Sequence, residues 1–222
     1  MDKKNVRNHS KQQPYQQAFS IACESLRRAD IEERAEKSGA LLEKEEHGGY
    51  LIRLTFLHRR CLIHFPEGKV TFQENDEEVP LWSQILLLHY LNNAQGRPLA
   101  GDWVNFRQLS GGDTYYPAFV KRSQQPLLDF FAHRLDLLEA AAQSLGGRSL
   151  NEGDRAVVIP ALPRVPIALI FWRGDEEFQP DARILFDATV PTYLSTEDVA
   201  VLAQQTVFGL ITCAKNHSRS KN

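Results

Sequence analysis

Arg164 is the residue best prepared by its neighbours to do chemistry. It lies in Leu162-Pro-Arg-Val-Pro166, between two prolines that stiffen the backbone in an extended form and fix where the guanidinium stands. A fixed guanidinium suits bidentate capture of a carboxylate or phosphate. It equally suits pairing with an internal acid such as Asp187 or Asp175 that merely locks the turn. Acids follow closely: Asp175-Glu176-Glu177, Asp187 and the pair Glu197-Asp198. Converging carboxylates can bind a divalent cation or share general acid and base roles. The competing structural roles are a solvated turn for 175–177 and dipole-favoured first-turn acids for Glu197 and Asp198. A third group, Gly101-Asp102-Trp103 with Asn105, Phe106 and Arg107, offers an aromatic wall with polar handles. Trp103 serves equally well as a core anchor, and Asp113-Thr-Tyr-Tyr116 can add hydroxyls nearby.

The ligand-binding candidates are therefore Arg164, Trp103, Asp102, Asp175, Glu177, Asp187 and Tyr193. No catalytic residue and no metal ligand is assigned. His47, His58, His64, His89 and His133 show no spacing that sets two imidazoles on one metal. There is no Gly-x-Ser-x-Gly, no phosphate-binding Gly-Lys-Ser/Thr loop and no Gly-x-Gly-x-x-Gly, so no cofactor is named.

Elements must position these residues, and composition limits what those elements build. Hydrophobic residues make up 42% and charged residues 24% of 222, the balance of an ordinary globular chain. A net charge of −2 gives no pull toward nucleic acid. No apolar run reaches the ~20 residues that span a bilayer. Cys23, Cys61 and Cys213 are remote from one another, which fits a reducing cytoplasm better than a disulfide scaffold.

Polar, basic residues 1–13 and 215–222 are expected as disordered tails around a single α+β domain over 14–214. The spacing predicts an amphipathic helix over about 14–37. Alternation at Tyr50, Ile52, Leu54 and Phe56, then at Cys61, Ile63 and Phe65, predicts an antiparallel meander over about 39–74. Pro80 opens a helix that is apolar on most sides and therefore buried. After Pro126, the stripe Leu127, Phe131, Leu135, Leu138, Ala142 and Leu145 predicts one continuous helix ending at Gly146-Gly147. A second β unit over about 155–188 leads to a final helix capped near Ser195 and faced by Val199, Leu202, Ala203, Thr206 and Leu210. Two antiparallel β units with four main helices make an α+β fold.

Gly101-Asp-Trp-Val-Asn-Phe-Arg-Gln-Leu-Ser-Gly-Gly112, Leu162-Pro-Arg-Val-Pro-Ile167, Gly174-Asp-Glu-Glu-Phe178, Leu185-Phe-Asp187 and Tyr193-Leu-Ser-Thr-Glu-Asp198 carry a family likeness. Together they resemble an uncharacterised bacterial family, domain of unknown function 3786, over roughly residues 15–212. The resemblance implies a protein of anaerobic bacteria whose relatives sometimes carry a cysteine-rich iron–sulfur module akin to those of corrinoid one-carbon proteins. This chain carries no such module. The family lends no catalytic residues and points to anaerobic redox or corrinoid metabolism by association alone.

Three functions are expected to compete. The first is a binding or accessory module for a small anionic or cofactor-like ligand or a protein partner. The second is an enzyme using a carboxylate pair, with or without a divalent metal. The third is a structural oligomer, such as a homodimer.

Overall fold

A computed structural model of the chain describes residues 3–46 and 48–220, with side chains described for 13–46 and 48–219. His47 and the chain ends at 1, 2, 221 and 222 lie outside the described residues, and with them part of both expected tails. The chain divides into two compact units, Met1–Leu54 with Arg59–Gly96, and Thr55–His58 with Arg97–Asn222.

In the first unit, helices α1 (Lys3–Arg28) and α2 (Ile31–Ser38) precede a four-stranded antiparallel sheet. Its strands are β1 (Leu41–Lys44), β2 (Tyr50–Phe56), β3 (Arg59–Phe65) and β4 (Lys69–Phe72), paired in sequence order as a meander. Ile52, Leu54, Cys61 and Ile63 point to the buried face, while Arg53 and Thr55 alternate outward. Helix α3 (Leu81–Asn93) buries nearly all its sides, as its composition requires. The helix expected over 14–37 is interrupted. Asp30 turns its carboxylate to the backbone N–H groups of Glu32 and Glu33, both at 3.1 Å, and so starts a new helix instead of continuing the old one.

In the second unit a five-stranded antiparallel sheet runs in the order β5-β9-β8-β7-β6. The strands are β5 (Trp103–Asn105), β6 (Arg148–Leu150), β7 (Arg155–Leu162), β8 (Val165–Trp172) and β9 (Asp181–Asp187). The α+β class with two antiparallel sheets is thus the observed one. The short strands β5 and β6 complete the second sheet at its two edges.

One face of this sheet carries Ile159, Ile167, Leu169, Phe171, Ile184 and Phe186, all buried. Phe186 meets Phe106 and Phe119 edge-on at 6.5 and 6.3 Å, and those two rings stack at 4.2 Å. Each such fully buried aromatic contributes about 1.5–3 kcal/mol over an exposed one. Helices α4 (Gly112–Phe119), α5 (Gln125–Phe131), α6 (Leu138–Gln143) and α7 (Thr196–Ser220) complete the unit.

The single helix expected after Pro126 does not form. All six stripe residues are buried, but the helix stops at Phe131 and restarts through a 3-10 turn at Leu135–Leu137. Arg134 supports the break: its guanidinium donates to the Phe130 carbonyl at 3.0 Å and lies 5.1 Å over the Phe130 ring, satisfying a carbonyl freed at the helix end. Upstream, a π turn over Val120–Gln124 joins α4 to α5. Its wider loop carries the chain past Pro126, which has no N–H for a regular helical ladder. Helix α7 starts at the expected cap. The Asp198 N–H donates to Ser195 Oγ at 3.1 Å, and that hydroxyl donates to the Asp198 carboxylate at 2.6 Å.

Candidate functional site

The end of β9 organises the expected residues. Asp187 is the last residue of that strand and stands opposite Trp103 in the β5–β9 ladder. Its carboxylate is buried and accepts four hydrogen bonds: from the N–H groups of Ala100 (3.1 Å), Gly101 (2.8 Å) and Thr189 (2.9 Å), and from the Thr189 hydroxyl (2.6 Å). Burial alone pushes the carboxyl pKa up, but these donors outweigh it and hold the group below the usual carboxylate range. Tyr193 is fully buried and donates its hydroxyl to the Arg97 carbonyl. The Ala188 N–H donates to the Asp102 carbonyl at 2.9 Å. Backbone groups of Arg97, Ala100, Gly101 and Asp102 are thus all fastened, while the side chains of this loop face solvent.

Arg164 sits in the two-residue turn between Leu162 of β7 and Val165 of β8, half-exposed. Its charge reaches the Tyr193 phenol. Burial pushes that phenol above its ordinary range, Arg164 pulls it down and Asp187 pushes it further up. Arg164, Asp187, Tyr193, Asp102 and Trp103 therefore gather at one end of the sheet. Asp175 and Glu177 do not join them. They occupy the β8–β9 connection, beyond the far end of an eight-residue strand that itself spans about 23 Å. There the exposed Asp175 carboxylate accepts from the N–H groups of Glu177 and Phe178, both at 2.8 Å, which holds its pKa low and shapes the turn. A smaller hollow of about 330 Å³ adjoins this turn, lined by His133, Arg173 and Phe178 among others.

The larger concavity, about 580 Å³, opens beside β5 and β9. Trp103 lines it; the other expected site residues do not. Its walls include Trp172 and Tyr116, and two arginines are held against those rings. Arg107 pairs with Asp113 at 2.7 Å and lies 5.0 Å over Tyr116, and Arg183 lies 4.8 Å over Trp172 with Asp181 at 3.6 Å. The Asp113 hydrogen bond raises the Arg107 pKa further. Arg107 and Tyr116 carried a sequence signal through their proximity to Trp103. Trp172, Asp181 and Arg183 were missed; the available signal was their alternation with buried Phe171, Ala182 and Ile184. Among the described residues no three of His, Cys, Asp or Glu converge to hold a metal ion. No helix among them is long and apolar enough to cross a membrane.

Fold and site together define an α+β protein with a recess along one sheet edge and a loop stapled beside it. A family model described as "Domain of unknown function (DUF3786)" matches residues 30–208, and the chain belongs to that family. No curated protein and no solved structure matches it.

Proposed function

We propose that the chain is a binding or accessory module whose ligand seats in the 580 Å³ concavity beside β5 and β9. One observation carries this reading: two guanidinium groups, Arg107 and Arg183, are each laid over an aromatic ring at the walls of one recess. Such pairs present a cation and a flat apolar surface together, which suits small anionic or cofactor-like ligands and extended protein segments alike. The volume lies within the range of ordinary ligand sites, about 300–1,000 Å³. In this reading Asp187 and Tyr193 are positioning residues. They fix the 97–102 loop, and with it the start of β5, so that Trp103 stands at the recess without reorganisation. A bacterial, cytoplasmic setting linked to anaerobic redox or corrinoid one-carbon metabolism is proposed on the family resemblance and the three remote thiols.

The test is a thermal-shift panel of mononucleotides, flavin mononucleotide, a cobalamin, di- and tricarboxylates and short peptides. At least one class is expected to stabilise the wild type and to lose that effect in Trp172→Ala and Arg183→Ala. Stabilisation that survives both substitutions moves the site elsewhere.

A further inference from the structure

Strand β9 is paired on one side over nearly its whole length and on the other over less than half. Strand β8 pairs with Asp181 through Phe186, whereas β5 pairs only with Leu185, Phe186 and Asp187. After Asn105 the chain turns away, because Asn105 and Gln108 cap a 3-10 turn: the Asn105 side chain accepts from the Arg107 N–H at 3.0 Å and the Gln108 side chain from the Asn105 N–H at 2.8 Å. Among the described residues no strand therefore lies against Asp181–Ile184 on that edge, and the 580 Å³ concavity opens there, lined by Asp181, Arg183, Ile184, Phe106, Phe119 and Tyr116 among others.

Backbone phase shows what the edge offers. In an antiparallel ladder successive residues direct their N–H and C=O groups to alternate sides. The Ala188 N–H points toward Asp102, so Ala182 and Ile184, in the same phase, point toward the open side. The Ala182 N–H donates to its neighbour, the Asp181 carboxylate, at 2.9 Å. Such a local cap blunts a sheet edge and is readily exchanged for a strand carbonyl.

We propose that this recess receives an extended segment of a partner protein, which continues the line of β5 as an antiparallel strand against Asp181–Ile184. The inference rests on the binding-module reading and names its partner class. Charge and face specify the segment. Asp181 and Arg183 share the exposed face, so the added strand places a base opposite Asp181 and an acid opposite Arg183. The alternate positions, opposite Ala182 and Ile184, face Phe106 and Phe119 and are apolar. Read from its N-terminus, the segment is apolar–acidic–apolar–basic. A second copy of this chain supplies the acid–x–base order through its own Asp181-Ala182-Arg183 edge. A two-fold contact would, however, set one recess against another, and the shape calls for a protruding strand instead.

The probe is the peptide acetyl-Thr-Val-Glu-Val-Lys-Thr-amide, followed by amide and indole resonances of the full chain. Binding is expected to move the Ile184 amide and the Trp172 indole. N-methylation of the second valine, which faces Ala182, is expected to abolish binding while leaving every side chain in place. The exchanged protein Asp181→Lys/Arg183→Glu should bind this peptide about tenfold more weakly and regain affinity for the Val-Lys-Val-Glu version. Equal binding of the N-methylated peptide, indifference to the charge exchange, or a dimer that Arg183→Glu dissociates overturns the strand proposal. If panel ligands enter the recess and the peptide does not, the binding module stands and the peptide partner falls; if neither enters, both fall.

Discussion

Asp187 and Trp103 are cross-strand partners, and the carboxylate of the first holds the two backbone N–H groups, of Ala100 and Gly101, that lie just ahead of the second. A buried acid and an aromatic at the recess are thereby coupled through three residues of chain. The acid accepts from Ala100, Gly101 and Thr189, and so fixes where the tryptophan begins.

Replacing Asp187 with Asn keeps the shape but turns an acceptor of four donors into a group that must itself donate. We expect a loss of about 2–3 kcal/mol in urea unfolding, the scale of hydrogen bonds to a charged group. The sign with pH follows from the lowered carboxyl pKa. The stabilisation is fully present above the unfolded value of about 4 and fades as pH falls through the lower folded value. The wild type and the Asn variant should therefore differ at pH 7 and converge as pH falls through the lower folded value. A difference that persists unchanged in acid contradicts this assignment.

Tyr193→Phe removes the hydroxyl that donates to the Arg97 carbonyl. A cost of about 1–2 kcal/mol is expected from leaving that acceptor unpaired. Amide exchange separates the two anchors. Ala100 and Gly101 should stay protected in Tyr193→Phe and lose protection in Asp187→Asn. Equal exposure of both amides in the two variants would show that the loop is held as one unit rather than at separate points.

The three thiols set the alkaline limit. Burial pushes Cys61 up to about 12 and raises Cys23 and Cys213 as well. A thiol raised in the folded state contributes stability that is intact below its unfolded value near 8.5 and is lost as pH rises toward the folded value. Unfolding free energy should fall progressively from about pH 8.5 upward. Cys61, fully buried, should react with Ellman's reagent at pH 8 only at the rate of opening, and fast labelling of Cys61 in the native state is the result that contradicts it.

Much of the fold was legible because burial writes periodicity. Ile52, Leu54, Cys61 and Ile63 alternate in sequence as they do in the sheet, and Val199, Leu202, Ala203, Thr206 and Leu210 line α7 as their spacing says. The stripe from Leu127 to Leu145 located buried residues correctly but not the helix that carries them. Burial at Phe131 and Leu135 is served equally well across a break, and the Arg134–Phe130 contact that supports the break has no periodic signature. Strand β5 has three residues, too few to show a period. The division after Gly96 falls in a segment that the sequence reads only as a loop.

The candidate site was legible in part. Trp103 lines the recess, and Arg107 and Tyr116 stand near it in the sequence as well as in the fold. Asp187 is indistinguishable by residue type from a ligand-facing acid. Two of its four donors are backbone groups 86 and 87 positions away, and a backbone N–H leaves no mark on the sequence. Asp175 and Glu177 are close to Arg164 along the chain, whereas β8 carries them to the opposite end of the sheet.

The recess along β5 and β9 is the proposed binding surface of this protein. Its three tryptophans give a direct measurement, since Trp103 and Trp172 line the recess and Trp82 stands half-exposed on α3. Indole N–H resonances followed during titration with any stabilising ligand or with the Val-Glu-Val-Lys peptide are expected to shift for Trp103 and Trp172 while Trp82 stays fixed. Movement of Trp82 alone, or equal movement of all three, contradicts the account.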